Sequence, residues 1–80
     1  MWSPRSSYVP LEMDWGKIVG ANIRRLREAK GLTQEQLAGE ADIAMRHLGR
    51  IERGEDNPAV EMLGKLAEVL GVGPDEMFVE

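Results

Sequence analysis

The chain has 80 residues, 30% of them charged, a formal net charge of −4 and no cysteine. A chain of this length makes one domain and buries only about 60% of the surface its unfolded form exposes, so a second subunit or a bound partner would widen a thin stability margin. Without cysteine, disulfides and thiolate metal sites are excluded and a reducing compartment, the cytoplasm, is expected; no stretch approaches the ~20 apolar residues of a membrane span or the apolar run of a signal peptide, so neither a membrane nor export is.

Residues 1–13 include Pro4, Pro10 and every serine of the protein (Ser3, Ser6, Ser7), without helical periodicity. They read as a mobile tail in which Trp2 or Tyr8 could dock locally, leaving residues 14–80 as the folded domain. Asp14 suits the cap of a first helix whose apolar and small positions, Trp15, Ile18, Val19, Asn22, Ile23, Leu26 and Ala29, recur at three and four. Gly31 then ends it as a left-handed C-cap. Thr33 opens a second helix over about 33–40, and Gln36 completes a T-x-x-Q capping box with it, Leu37 and Ala38 facing inward.

Gly39–Ile43 reads as a turn leading to a third helix over about 44–53, closed by Gly54. After a loop of Glu55 and Asp56, Asn57 suits an N-cap and Pro58 a first helical position, so a fourth helix is expected through Leu63, Leu66, Ala67 and Leu70 to Gly71. Gly73, Pro74, Asp75 and Glu76 open a short fifth by the same rule, with acids in its first turn. The expected fold is all-α, a compact five-helix bundle.

The negative total hides an uneven distribution. Residues 1–21 balance to zero, residues 22–53 to +2 and residues 54–80 to −6. Charges further apart than the ~8 Å Debye length at physiological salt hardly sense each other, so local sign decides whether a polyanion can bind. The expectation is a basic front with an acidic back.

The third helix carries the basic front. At 100° per residue, Ala44, Leu48 and Ile51 form one stripe, while Met45, Arg46, Gly49, Arg50 and Arg53 follow each other on the opposite side. One side anchors and the other is offered outward. Arginine's planar fork can hydrogen-bond guanine O6 and N7 together or grip a phosphate, so a helix of this kind, held out from a helical scaffold, suits the DNA major groove.

Enzymatic chemistry lacks an inventory. The domain has no serine or cysteine nucleophile, Thr33 is committed to a cap, and no glycine-rich phosphate loop is present. His47 is the only histidine, so a metal would find no second imidazole ligand, and no cofactor is implied. The rival function is a protein-interaction module, in which the acidic C-terminal portion docks a toxin or an RNA polymerase subunit in the manner of an antitoxin or co-activator.

Leu-Thr-Gln-Glu-Gln-Leu-Ala at Leu32–Ala38, Leu-Gly-Arg-Ile-Glu-Arg-Gly at Leu48–Gly54, then Asn-Pro-Ala-Val and Leu-Gly-Val occur in one order that resembles the phage-repressor-like helix-turn-helix family, the Cro and XRE type. The resemblance spans residues 18–78. It implies a lambda repressor-like five-helix domain, sequence-specific binding of double-stranded DNA and a homodimer on an inverted repeat. Carried onto this sequence, it assigns base reading to Ala44, Met45, Arg46, Gly49 and Arg50. Gln34 matches the family's phosphate-binding glutamine at a helix N-terminus, and Arg53 and Asn57 match backbone contacts beside the recognition helix; Thr33 and His47 stand beside them as phosphate-proximal groups. The resemblance also pairs Glu52 with Arg27, as an ion pair fixing the third helix on the first.

Some positions depart from the family pattern. Asp42 stands where glycine is usual, Ala44 replaces a polar cap at a cost of about 1 kcal/mol, and Gly49 and Gly64 lie inside helices at about 1 kcal/mol each. A marginal monomer follows. Leu70, Val72, Met77, Phe78 and Val79 form an apolar C-terminal group whose role, packing on the first and fourth helices or forming a dimer interface, the sequence leaves open.

Overall fold

A computed structural model describes residues 14–80. The expectations for the tail, including docking of Trp2 or Tyr8, lie outside the described residues. Four α-helices follow in order: α1 (Trp15–Ala29), α2 (Gln34–Ala41), α3 (Met45–Glu52) and α4 (Val60–Leu70). The expected fifth helix is instead one 3₁₀ segment, Pro74–Phe78. The Glu76 N–H donates to the Gly73 carbonyl at 3.1 Å, the i→i+3 pattern that is common in short closing turns.

Local chemistry accounts for most boundaries. The Asp14 carboxylate accepts from the Lys17 N–H at 3.0 Å, and Gly31 takes φ +74° just beyond α1. Thr33 Oγ1 accepts from the Gln36 N–H at 3.0 Å while Gln36 Oε1 accepts from the Thr33 N–H at 2.8 Å, a complete capping box. α4 starts later than the sequence suggested: Ala59, not Asn57, is its N-cap. Asn57 has a different task, its Oδ1 lying against Gly16 in a contact with no room for a Cβ.

The core consists of Val19 and Ile23 from α1, Leu37, Ala38 and Ala41 from α2, Leu48 and Ile51 from α3, Leu66, Ala67 and Leu70 from α4, and Met77. Each fully buried leucine or isoleucine contributes about 1.5–3 kcal/mol relative to exposure. α1 touches α3, α4 and the closing turn, while α2 packs on α3 and α4. At Gly20 the α1 backbone meets the Ile51 carbonyl directly and a Cβ would lie 2.8 Å from the Glu52 carbonyl oxygen, a close approach only glycine permits. Asn22 Nδ2 donates to the carbonyls of Met77 and Val79, each at 2.8 Å, which ties the end of the chain to α1.

Within the C-terminal apolar group, Leu70 and Met77 belong to the core of the chain itself, and Val72 is partly buried against it. Phe78 and Val79 stay exposed, with the Phe78 ring edge-on to Trp15 at 6.2 Å between centroids.

Candidate nucleic-acid interface

α2 and α3 are joined by Asp42, Ile43 and Ala44. Asp42 has φ 58° and ψ 46°, the only non-glycine residue with positive φ among the described residues. Aspartate tolerates this left-handed conformation better than most residues, so the turn forms where glycine is absent. Ala44 caps α3 with no side-chain hydrogen bond, leaving the first N–H groups of α3 without that partner.

One side of α3 is fully buried through Leu48 and Ile51, while Ala44, Met45, Arg46 and Arg50 are exposed, as is Arg53 at its C-cap. A buried polar network holds this orientation. Arg27 Nε donates to Glu52 Oε2 at 2.7 Å and Arg27 Nη2 to Glu52 Oε1 at 3.1 Å. Its Nη1 donates to the Leu32 carbonyl at 2.8 Å, so one guanidinium joins α1, the α1–α2 loop and α3. The hydrogen bond that Arg27 donates to Glu52 raises the Arg27 pKa above its ordinary value, and both side chains are shielded from water.

Gln34 completes that network. Its Nε2 donates to Glu52 Oε1 at 3.0 Å, so the glutamine expected at a phosphate is also the fastener between α2 and α3. Gly49 is buried rather than open: a Cβ there would sit 3.2 Å from Arg53 Nη1 and 4.0 Å from the Gln34 amide. The glycine gives room to the Arg53 guanidinium, while the Gln34 amide lies at ordinary contact distance.

The arginines differ in what they touch. Arg46 is exposed and has no ion-pair partner among the described residues. Arg50 Nε donates to Asp56 Oδ2 at 3.0 Å, and His47 Nε2 stands 3.7 Å from the same oxygen. Arg53 presents two nitrogens to Glu55, Nε to Oε2 at 2.9 Å and Nη2 to Oε1 at 3.2 Å. That paired hydrogen bond raises the Arg53 pKa and holds the Glu55 carboxyl below the ordinary carboxylate range. Thr33 is exposed, with its hydroxyl serving the α2 cap.

Glu55 and Asp56 are what the sequence reading missed, having been assigned to an acidic back. A signal was present in Arg53-Gly54-Glu55-Asp56: a left-handed glycine after a basic helix reverses the chain and brings the next residues back beside that helix.

Two short helices joined by a left-handed turn, the second locked inward by a buried ion pair and presenting arginines outward, define a helix-turn-helix unit. A helix-turn-helix family profile matches residues 23–77, and the chain belongs to that family, in its phage-repressor-like branch. Over 65 residues it is 45% identical to the uncharacterized HTH-type transcriptional regulator y4dJ of Sinorhizobium fredii, covering 81% of this chain and 84% of that one. Its backbone is similar to the restriction-modification controller protein C.AhdI from Aeromonas hydrophila, with TM-score 0.76, 38% identity and coverage of 79% of this chain and 96% of that one. It is also similar to the biofilm master regulator SinR solved in complex with DNA, with TM-score 0.72, 32% identity and coverage of 76% and 98%. The protein is a DNA-binding transcriptional regulator of the helix-turn-helix type. No helix among the described residues is long and apolar enough to cross a membrane.

Proposed function

We propose that the protein binds a palindromic operator as a cytoplasmic homodimer, laying α3 in the major groove so that Arg46 and Arg50 read bases and Met45 and Ala44 contact thymine methyl groups. Gln34, Thr33, His47, Arg53 and Asn57 flank this edge as phosphate contacts, fixing register without reading sequence. The observation that carries the reading is the two-sidedness of α3: Leu48, Ile51 and Glu52 are buried and fastened while Met45, Arg46 and Arg50 stand in water.

A two-fold dimer would set its recognition helices about 34 Å apart, one turn of B-DNA. Phe78, Val79 and Trp15 are the apolar groups left exposed for such an interface at the C-terminal end. The alternative, an acidic module for a toxin or polymerase subunit, is not favoured by membership in a family of transcriptional regulators.

Selection of bound duplexes from a random DNA pool tests the proposal directly. The expected product is an inverted repeat, and Arg46→Ala is expected to relax preference at one position per half-site by about tenfold, the scale of one bidentate arginine–guanine contact. Recovery of sequences without symmetry would remove the dimer, and unchanged preference in Arg46→Ala would remove that arginine from the reading face.

A further inference from the structure

The two arginines of α3 and the Arg53 at its C-cap are held in three different ways, and the difference lies in the loop behind the helix. Gly54, at φ +77°, reverses the chain; its N–H donates to the Ile51 carbonyl at 3.0 Å and the Glu55 N–H donates to the Arg50 carbonyl at 2.9 Å. These two bonds are the Schellman closure of a helix, so the loop position is set by backbone and not by surface chance. Arg50 is thereby gripped twice, at its carbonyl by Glu55 and at its Nε by Asp56.

The bond to Asp56 uses only Nε, which leaves both terminal nitrogens of Arg50 without a hydrogen-bond partner among the described residues. Those terminal nitrogens can face guanine O6 and N7 end-on. Arg53, by contrast, commits Nε and Nη2 to Glu55, and Arg46 has no acidic partner among the described residues. A side chain as long as arginine loses much rotamer freedom when it binds, and a prior hydrogen bond at Nε removes part of that loss before DNA arrives.

We infer that Asp56 is a positioning residue for base recognition, holding the Arg50 guanidinium by Nε so that its two free nitrogens meet one guanine; this rests on the reading of α3 as the recognition helix. The carboxylate also adds a negative charge beside this face, so it repels all DNA alike. Asp56 therefore lowers affinity for any duplex while sharpening the choice among duplexes. His47, 3.7 Å from the same oxygen, borders this arrangement on the preceding turn of α3.

The experiment compares the intact protein with Asp56→Ala, Asp56→Asn, Arg50→Ala and the Asp56→Ala/Arg50→Ala double variant, each shown folded by circular dichroism. The duplexes are the operator selected from the random pool, single-base variants of it and a scrambled duplex. Asp56→Ala is expected to bind scrambled DNA several-fold more tightly and to lose about tenfold discrimination at the Arg50 position alone, with the Arg46 position unchanged. Asp56→Asn keeps an oxygen acceptor for Nε and is expected to retain that discrimination while still gaining affinity for scrambled DNA. The double variant is expected to discriminate no worse than Arg50→Ala, because both changes remove one device.

If Asp56→Ala tightens operator and scrambled DNA by the same factor while Arg50→Ala alone loses discrimination, Asp56 is only a repelling charge; the inference falls and the reading of α3 stands. If Arg50→Ala leaves discrimination intact, Arg50 does not read bases, and both fall together.

Discussion

Glu52 is the residue on which the geometry of the interface turns. Its carboxylate accepts from Arg27 twice and from Gln34 once, joining α1, α2 and α3 at a point shielded from water. Truncation would leave the Arg27 charge buried without its partner, so Glu52→Ala is expected to cost about 3–5 kcal/mol, a large share of a small domain's stability. Urea denaturation measures it, and a loss below about 1 kcal/mol would mean that solvent compensates the arginine. The exposed Arg53–Glu55 pair gives a different, pH-dependent signature. Because the Arg53 hydrogen bond lowers the Glu55 pKa below 4.5 in the folded protein, its contribution is present above pH 4.5 and fades as pH falls through the lower folded value. Carboxyl NMR titration is expected to show Glu55 below 4.5 in the native protein and back near it in Arg53→Ala; a native value at 4.5 would show the pair is not formed in solution.

At the scale of elements, glycines of one residue type serve opposite ends. Gly20 lets α1 lie against the carbonyls of Ile51 and Glu52, so Gly20→Ala is expected to force α1 and α3 apart and cost at least the 1–3 kcal/mol (about) typical of overpacking. Gly64, in the middle of α4, has open space where a Cβ would be. Gly64→Ala is therefore expected to stabilise the domain by about 0.5–1 kcal/mol through helix propensity alone. Paired thermal melts of these variants check both signs, and a stable Gly20→Ala would contradict the tight α1–α3 contact. Sequence pattern located these helices to within a residue or two but not their contacts: the period identifies which side of α1 is inward, and nothing in it says that α3 approaches at Gly20.

For the whole molecule, the decisive quantity is where the charge lies. The formal total of −4 would repel DNA if it were spread evenly. On the α3 side, Arg50 and Arg53 are paired with Asp56 and Glu55 while Arg46 stands unpaired among the described residues, so the local balance is only weakly positive and affinity for arbitrary DNA is expected to be low. Operator affinity is still expected to fall as salt rises, with a log–log slope of about −0.9 for each phosphate neutralised. A mobility-shift series from low to high salt measures that slope; a flat response would rule out a phosphate-gripping interface.

The amino-acid order alone determined the four α-helices to within a residue or two, the T-x-x-Q cap, the glycine stops and the inward Leu48 and Ile51 of α3, though not the 3₁₀ form of the closing segment, because these depend on neighbours within a turn or two of the chain. Through its motif it also pointed to the Arg27 and Glu52 pairing. Only the tertiary structure decided that Leu70 and Met77 are core, that Gln34 binds Glu52, that Gly49 is covered, and that Asp56 takes hold of Arg50. Those are contacts between surfaces of different elements, and they depend on how a reversing loop and packed helices close in space, which no local periodicity encodes.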